Sequence, residues 1–413
     1  MKKDRTSRSS LKTLKYKNRH AVLQYLRRHE NASVAEIAKH TSLSKMTVHN
    51  IIEHYLASGL VREDGKGDST DEGGKKPKLF AFNPDHRYIF SVRIVEQSLS
   101  SALTNLNGEI SASHTAFHGQ DTSIDDILRL VRESFQTLTK RRKVAPEDCL
   151  GAAVGCHGII DVERGVCVIS PHFVSWGSNV PVRDLIRQQL PPGLPIYIDN
   201  WMRYHAYGEM KVMRDETARF FLIGTEYDGL AGGMVSEGKL VRGDLGLSGE
   251  IGHMVVDPDN PTVCACGGVG CLEVAVSPRR LEERARQLRD QWPDSLLFKD
   301  RPNREVSFDT ILKASNKGDP FACSLVDEAI KSFAIAINNL IYSCDPGLII
   351  IQGEYAKAGV YFLERLRDRV NNLTLLRMKK SIRIEYSTLD DEYSLAGAAC
   401  YIADLYFDNM ASG

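Results

Sequence analysis

The sequence predicts an α/β protein in which a small N-terminal winged helix-turn-helix module is joined to a larger, two-lobed α/β domain. The first 86 residues hold 17 Lys and Arg against 10 Asp and Glu, whereas the remaining residues hold 36 against 43. A net charge of zero therefore conceals a basic head on an acidic body. The head shows the hydrophobic period of three short helices followed by two strands, and the body alternates strands with long amphipathic helices.

Length and composition exclude several classes of protein. At 413 residues, 42% of them hydrophobic and 26% charged, the chain can form two or three domains with sizeable cores, which excludes wholesale disorder and a fibrous repeat. No apolar run approaches the roughly 20 residues of a membrane-spanning helix. Residues 1–19 lack the apolar segment and cleavage site of a secretory signal. We expect no membrane association and a reducing, cytoplasmic location, which suits an odd count of nine cysteines.

The head, residues 1–85, follows the order of a DNA-binding helix-turn-helix. Apolar residues at helical spacing predict a first helix over residues 18–28, and Ser33-Val-Ala-Glu36 predicts a capping box that begins a second. After a turn, Ser44 is expected to cap a third helix, one face of which is core. Its opposite face offers polar and basic groups that can reach base edges and phosphates, namely Ser44, Lys45, Thr47, His49 and Asn50.

A wing follows the third helix. Residues 59–62 and 79–82 predict two strands, with a polar, Gly-rich stretch between them. The basic end of this stretch supplies the other candidate DNA contacts, Lys75, Lys76 and Lys78. Trihelical patterns also occur in protein-binding bundles, and a basic segment can be only a solvated tail. Element order, charge and wing together favour double-stranded operator DNA as the partner.

The body, residues 86–413, begins with the elements that open each lobe of the actin-like, sugar-kinase class of folds. Three strands, a helix and a buried strand are predicted at 88–95, 98–104, 109–117, 124–138 and 150–155. A Gly-rich strand block, three helices and a core strand follow at 220–235, 278–290, 320–343, 356–371 and 347–351. We expect a cleft between two lobes. Lobe one covers about 86–199 plus a C-terminal helix at about 390–413, and lobe two covers about 200–389.

One histidine and three cysteines form the sharpest chemical pattern. His253 precedes Cys264-Ala-Cys266 by ten intervening residues, and Cys271 closes the Gly-rich loop that follows. One imidazole and three thiolates are a complete tetrahedral set for Zn²⁺, and a site with four protein ligands is closed and structural. The alternative is three buried free cysteines beside an unrelated histidine, but the spacing favours zinc. The six scattered cysteines are expected in the core.

Glu250-Ile-Gly-His253, followed by CxCGxxGCxE, closely resembles the signature of the ROK family (repressors, open reading frames and sugar kinases). The similarity extends over the whole chain and includes Gly224-Thr225, Gly232-Gly233 and the late Ala396-Gly397. With a helix-turn-helix in front, the chain resembles the repressor branch, which includes regulators of xylose and N-acetylglucosamine operons. The resemblance implies that His253, Cys264, Cys266 and Cys271 bind zinc. It also implies that a sugar's hydroxyls face Asn200, Glu250, His253 and Glu273.

The position of the kinase base is changed. Kinases of the family read roughly ENDANAAALGE, and the Asp after the Asn is the general base, whereas this chain reads Asp199-Asn200-Trp201. An indole cannot accept the proton, so the reaction loses a factor on the order of 10²–10⁴ in rate. Asp199 is not expected to substitute, because successive side chains at a strand end point to opposite sides. Trp201 either stacks on the apolar face of a pyranose or fills a pocket that is no longer needed.

Three nucleotide-binding segments differ as well. The first phosphate loop, Val92 to Ser98, lacks the Asp and the paired glycines that a backbone phosphate cradle needs. The second places Glu226 and Asp228 where phosphates would lie, and the adenosine-side pair of glycines reads Gln352-Gly353-Glu354. We therefore predict that ATP is neither bound well nor used and that the protein is not an enzyme. His157 and Ser170-Pro171-His172 also depart from the family pattern, which leaves the sugar unidentified.

These observations favour a sugar-responsive, zinc-containing transcriptional regulator, a repressor, that acts as a homodimer or homotetramer. Sugar in the cleft would favour one closure of the lobes and so change the spacing of two recognition helices. Two alternatives stay open. One is an active ATP-dependent sugar kinase with an accessory DNA-binding head. The other is a regulator whose cleft is vestigial and whose output is set by a protein partner.

Overall fold

The computed structural model describes residues 3–67, 76–215, 217–227, 229–299, 306–373 and 382–412. The head consists of α1 (Lys3–Arg28), β1 (Ala32–Ser33), α2 (Val34–Thr41), α3 (Lys45–Ala57), β2 (Val61–Lys66) and β3 (Lys78–Phe82). Its strands pair antiparallel in the order β1-β3-β2, so β2 and β3 form the predicted wing. Lys75, a candidate DNA contact, lies outside the described residues.

Local hydrogen bonds determine where the helices of the head begin. Glu36 accepts a hydrogen bond from Ser33 N at 2.7 Å, and the Ser33 hydroxyl accepts one from Glu36 N, so the predicted capping box is confirmed. Ser44 caps α3 through Thr47 N at 3.1 Å. Between them Ser42, at φ 56°, takes the left-handed conformation that ends α2. α1 begins well before the predicted residue 18. The stretch before residue 18 lacks an apolar period, so the sequence pattern does not predict a helix there. It contains no Gly or Pro, however, and nothing interrupts the helix.

The first sheet of the body has the strand order β10-β7-β4-β5-β6. Its elements are β4 (Tyr88–Val95), β5 (Ser98–Asn105), β6 (Ile110–Phe117), α4 (Ile124–Arg142), β7 (Cys149–Cys156), β8 (Ile159–Asp161), β9 (Val166–Ile169), α5 (Val182–Arg187) and β10 (Ile196–Asn200). The predicted meander forms the β4, β5 and β6 edge, and β7 and β10 continue in parallel beside β4. α4 buries its predicted apolar stripe against this sheet.

The second sheet has the order β13-β12-β11-β14-β15. From α6 onward the elements are α6 (Trp201–Met213), β11 (Phe220–Thr225), β12 (Leu230–Ser236), β13 (Lys239–Val241), α7 (Leu272–Val276), α8 (Pro278–Gln287), α9 (Phe308–Asn316), α10 (Pro320–Cys344), β14 (Leu348–Gly353), α11 (Gly359–Leu373), β15 (Arg383–Tyr386) and α12 (Tyr393–Ser412). The predicted strand block over 220–235 is an antiparallel pair, β11 and β12. Within the described ranges, no helix combines the length and apolar character needed to span a bilayer.

Two helices connect the sheets. α6 continues directly from β10, and α12 packs against α6 and against β4 and β7 of the first sheet. A Cβ added at Gly397 of α12 would overlap the Tyr204 carbonyl oxygen and lie 2.7 Å from the Gly208 nitrogen of α6. Because glycine has no Cβ, Gly397 allows the backbones of the two helices to come into contact. The C-terminal helix therefore packs on both α6 and the first sheet. Its assignment to the first lobe stays a prediction.

The head is docked on the body and shares a hydrophobic core with it. α1 packs on α12, and the rings of Phe82 in β3 and Phe407 in α12 lie 5.9 Å apart. β3 ends at Phe82 and β4 begins at Tyr88, so the connection is short. The predicted boundary at residue 85 falls in this connection. It stays a prediction, as does the residue at which one lobe passes into the other.

Candidate functional site

A small cavity lies where the ends of β7, β10 and β11 meet the loop that carries the cysteines. Its volume is about 190 Å³, below the roughly 300–1,000 Å³ of pockets that take drug-sized ligands, so it suits one small ring rather than a nucleotide. All five residues predicted to face a sugar line it: Asn200, Trp201, Glu250, His253 and Glu273. Residues separated by up to 73 positions in the sequence therefore converge on one enclosure.

Asn200 connects the cavity to the scaffold. Its side-chain oxygen accepts a hydrogen bond from Met202 N at 2.9 Å and so caps α6, while its amide nitrogen donates to the Gly158 carbonyl at 3.2 Å. The same nitrogen lies 3.5 Å from a carboxylate oxygen of Glu250. Burial raises the pKa of Glu250 to about 7, an effect that the nearby charge of Glu273 strengthens. Near neutral pH this carboxyl group can therefore either donate or accept a hydrogen bond.

The predicted metal ligands form one cluster. Nδ1 of His253 and the Sγ atoms of Cys264, Cys266 and Cys271 all lie within 4.8 Å of one another. Cys264 Sγ is 3.6 Å from His253 Nδ1, and Cys266 Sγ is 3.7 Å from Cys271 Sγ. Tetrahedral Zn²⁺ with bonds of about 2.3 Å to sulfur and about 2.0 Å to nitrogen places ligand atoms about 3.5–3.8 Å apart. The donor set and these spacings fit one such ion.

Glu273 lies between the metal cluster and the cavity. One carboxylate oxygen accepts a hydrogen bond from Leu230 N of β12 at 3.0 Å, and the other lies 3.6 Å from Cys264 Sγ. Glu273 stands in the first turn of α7, which begins immediately after Cys271. The loop that carries the cysteines therefore positions Glu273 at the cavity wall.

A group of charges stands beside the cavity, and two of its members, His157 and Glu226, line it. Arg93, at the end of β4, donates to Glu226 after β11 at 2.6 Å, and His157 Nε2 lies 2.9 Å from the other Glu226 oxygen. The Arg93 guanidinium also lies 4.3 Å from the centre of the Trp201 ring, in the range of a cation–π contact. Trp201 is 2% exposed. We call Arg93, His157, Trp201 and Glu226 the wall cluster; it joins the first sheet to the second.

Electrostatics in the wall cluster favour the ionised carboxylate. Burial alone would raise the pKa of Glu226, but the charges and hydrogen bonds of His157 and Arg93 outweigh it and lower the pKa to about 2. His172 packs beside His157 with the two rings tilted and their centres 4.6 Å apart, and burial together with that neighbour lowers the pKa of His172 to about 4. From the sequence alone, Glu226 is expected to be a negative charge without a cationic partner. The structure corrects this, because Arg93 and His157 balance it.

A wide, open cleft of about 1,000 Å³ lies on the other side of the wall cluster. The acidic residues that line it are Glu96, Glu226, Glu354, Asp390, Asp391 and Glu392. Two cationic residues, Arg279 and Lys357, also line it. The connection between β4 and β5 is a tight turn, because the strands pair as far as Val95 and Ser98 and leave two residues between them. Asp228 lies outside the described residues.

Asp199 is fully buried and fully engaged. Its carboxylate accepts hydrogen bonds from Arg203 at 2.8 Å, from Arg242 at 2.7 Å and from the backbone N–H of Asn200 at 2.8 Å. Arg203 additionally donates to the carbonyl of Ser248 at 3.2 Å. Both carboxylate oxygens of Asp199 are therefore occupied by structural hydrogen bonds rather than directed to the cavity.

The candidate DNA contacts of the head lie on the solvent side of α3 and on the wing. Lys45, His49 and Asn50 are exposed, whereas the hydroxyls of Ser44 and Thr47 bond to each other at 2.8 Å at the helix cap. On the wing, Lys76 and Lys78 are exposed, and Lys78 pairs with Glu63 at 2.6 Å.

Sequence reasoning missed Met46, which is 68% exposed on the first turn of α3. An apolar residue outside the buried stripe of Val48, Ile51, Ile52 and Tyr55 was the signal available in the sequence. It also missed the wall cluster as a unit, although Trp201, His157 and Glu226 were each noted as departures. No local pattern pairs Arg93 with Glu226 across 133 positions.

The fold and the cleft define a winged-helix module attached to a body of sugar-kinase architecture. The family model described as "ROK family" matches residues 89–404, and the chain belongs to this family. A model described as "MarR family" matches residues 15–69 of the head. Both matches agree with the predicted organisation of the chain.

Individual relatives include repressors and kinases. The chain is 28% identical over 393 residues to a xylose repressor of Caldicellulosiruptor bescii, a match that covers 95% of this chain and 97% of the repressor. It is 26% identical over 308 residues to a glucokinase of Thermotoga maritima, covering 74% and 94%. A crystal structure described as a ROK family transcriptional regulator, homologous to the E. coli Mlc protein, superposes with a TM-score of 0.79 at 21% identity. That match covers 96% of this chain and 98% of the other, and shows that head and body share its fold.

The wall cluster predicts a pH-dependent contribution to stability. Glu226→Gln should lower the free energy of unfolding at pH 7 by about 2 kcal/mol, because the nearly buried Arg93 guanidinium loses its anionic partner. The pKa of Glu226 is depressed in the folded protein, so its contribution is complete above about pH 4.5 and is lost as the pH falls towards 2. The gap between wild type and variant should narrow over that interval, as measured by urea unfolding.

Glu237→Gln is the matched control, because Glu237 pairs with Arg219 on the exposed surface. It should change stability little at any pH. Equal stability of Glu226→Gln and wild type at pH 7 would contradict the assignment of Glu226 as an ionised carboxylate that stabilises Arg93.

Proposed function

We propose that this protein is a cytoplasmic, sugar-responsive transcriptional repressor whose kinase-like body senses a carbohydrate and does not phosphorylate it. The observation that carries the proposal is the 190 Å³ cavity, which gathers the five candidate sugar contacts behind a wall of tryptophan and paired charges. Residues 1–85 are assigned to operator binding and residues 86–413 to sensing. The likeness to a xylose repressor makes D-xylose the first sugar to test.

The polar groups of the cavity suit a polyhydroxylated ring. Asn200 and the carboxyl groups of Glu250 and Glu273 can share several hydrogen bonds with vicinal hydroxyls, while the indole of Trp201 offers an apolar face to sugar C–H groups. Nδ1 of His157, which lines the cavity, is buried and has no hydrogen-bond partner among the described residues. A buried polar atom without a partner is unfavourable, so a ligand hydroxyl at this position would be stabilising.

The wall cluster supports sensing without phosphoryl transfer. Trp201 stands at the position of the proton acceptor and has no atom that can take the hydroxyl proton. Behind it, the Arg93–Glu226 pair blocks the route from the cavity to the wide cleft, and the acidic lining of that cleft would repel a nucleotide triphosphate. Asp199 cannot substitute, since two arginines occupy its oxygens.

The head supports DNA binding through the exposed side of α3. Lys45, His49 and Asn50 are accessible near its N-terminal end, where a recognition helix meets base edges and phosphates, and Lys76 and Lys78 stand on the wing. We infer that the protein acts as a homodimer or homotetramer, because operator half-sites about one helical turn apart require paired heads. Sugar would shift the equilibrium only through different affinities for two arrangements of the lobes.

We also propose that the ion held by His253 and the three cysteines is structural Zn²⁺. The purified protein should contain one zinc per chain by elemental analysis, and Cys264→Ser should lose it and unfold at a lower temperature, because the bound metal stabilises the loop. Cys344→Ser, outside the cluster, is the control and should retain full zinc. A zinc-free wild-type protein of normal stability would refute this assignment.

The second candidate function, a sugar kinase, rests on the likeness to a glucokinase. We expect no turnover above background in a coupled ADP assay with ATP, Mg²⁺ and D-xylose, D-glucose or N-acetyl-D-glucosamine. The loss of the general base alone accounts for a factor on the order of 10²–10⁴. Turnover at an ordinary enzymatic rate would establish the kinase instead.

The repressor proposal predicts binding to the genomic fragment upstream of the protein's own gene. Lys45→Ala should weaken binding about tenfold and reduce the salt dependence by the equivalent of about one phosphate contact, as measured by fluorescence anisotropy at several salt concentrations. Lys239→Ala, an exposed lysine on the body, is the control and should behave as wild type.

Adding sugar to the same titration tests sensing. D-xylose or another sugar of the panel should lower the affinity for the fragment. A wild-type protein that does not bind the fragment even at low salt would refute DNA binding. Binding that no sugar of the panel alters, together with no heat of sugar binding in calorimetry, would favour a vestigial cleft controlled by a protein partner.

A further inference from the structure

One carboxylate on α12 receives hydrogen-bond donors from both the head and the helix that starts at the cavity. Asp404 lies 3.4 Å from the Arg27 guanidinium of α1 in the head. It also accepts a hydrogen bond from the Tyr207 hydroxyl of α6 at 2.6 Å and forms an ion pair with Lys211 of α6. The Asp404 side chain is 21% exposed, so its charge is partly shielded from water. Two cations from different parts of the molecule therefore share one anion.

α6 connects this carboxylate to the cavity. Asn200 caps its first turn, Trp201 is its first residue, and Lys211 lies ten residues further along, about 15 Å at 1.5 Å per residue. Between these ends α6 touches α12 backbone to backbone at Gly208 and Gly397. Since close-packed helices shift as units, a displacement of the first turn is expected to reach Lys211 and Tyr207.

On the side of the head, Arg27 is nearly enclosed. Its side chain is 14% exposed, and the guanidinium lies 4.3 Å from the ring centre of Phe407 and 5.9 Å from that of Phe82 in the wing strand β3. α1 is bonded in turn to the recognition helix, because the buried Tyr55 hydroxyl of α3 donates to the Arg19 carbonyl at 3.1 Å. We therefore expect a change at Arg27 to affect both α3 and the wing, the two elements predicted to contact DNA.

We propose that Asp404 is the positioning residue that couples the sugar cavity to the DNA-binding head. When α6 shifts, the interactions of Lys211 and Tyr207 with the Asp404 carboxylate become stronger or weaker. The interaction of Arg27 with the same carboxylate then changes in the opposite direction. The orientation of α1 and α3 on the body then depends on the state of the cavity. This inference rests on the proposed function, but it concerns the coupling between the two sites and neither site by itself.

The test measures the coupling in both directions. For wild type and Asp404→Asn, the affinity for the upstream DNA fragment is measured without sugar and with saturating sugar, and the affinity for sugar without and with DNA. D-xylose is the probe, followed by N-acetyl-D-glucosamine and D-glucose. The coupling ratio is the factor by which sugar changes the affinity for DNA, and thermodynamic linkage requires DNA to change the affinity for sugar by the same factor in each protein. A wild-type ratio of about fivefold or more is expected, and Asp404→Asn should reduce it to near one while each separate affinity stays within about threefold of wild type.

Two further variants separate coupling from simple support of the fold. Lys211→Met removes the cationic partner on α6 and leaves Arg27 and Tyr207 with Asp404, and it should also reduce the ratio. Asp408→Asn alters the next turn of α12, where Asp408 accepts a hydrogen bond from Tyr16 of α1 at 2.8 Å, and should keep the ratio. A merely structural role would lower the melting temperature or one affinity without changing the ratio.

The outcomes are distinguishable. Full coupling in both Asp404→Asn and Lys211→Met would overturn the role of Asp404 and leave the repressor proposal intact. Wild-type protein that binds both sugar and DNA with a ratio of one would refute the coupling and leave the two binding sites standing. Wild-type protein that binds none of the three sugars would refute sugar sensing itself and, with it, this inference.

Discussion

The contact between the backbones of α6 and α12 is the constraint on which the arrangement of the molecule depends. A side chain at Gly397 of α12 would collide with the backbone of α6, so the two helices can cross in backbone contact only with glycine at this position. From this crossing α6 leads to the cavity, and α12 covers the first sheet and supports α1 of the head. The cavity, the first sheet and the head therefore meet one packed helix pair, and the position of each is defined relative to it.

The wall cluster joins the end of β4 to the end of β11 through paired charges. A buried guanidinium without a partner is strongly destabilising, so Arg93 is tolerable only when Glu226 pairs with it. The Trp201 ring rests against this pair. The cluster thus supplies a contact between the two sheets.

The features that the sequence predicts correctly are local. The capping box at Ser33 and the apolar stripe of α3 each depend on residues within a few positions of one another, and the metal cluster has a spacing in which few other chemistries occur. The sequence could not show that Arg93 meets Glu226 or that Arg27 shares Asp404 with Lys211, because such contacts depend on packing between distant segments. The length of α1 was underestimated for a related reason. Its early turns carry no apolar period, which was the signal on which that prediction relied.

The loop that carries the three cysteines forms one side of the cavity. His253 Nδ1 lies 3.6 Å from Cys264 Sγ, and His253 also lines the cavity. Glu273 follows two residues after Cys271 and is fixed from the other side by the backbone N–H of Leu230. Groups held in place before a ligand arrives lose little conformational entropy when it binds, so more of the interaction energy appears as affinity. The same loop leads into α7, and Glu273 contacts β12, so the geometry of the cavity is connected to the packing of the second sheet. An ion held by the four ligands would strengthen this connection.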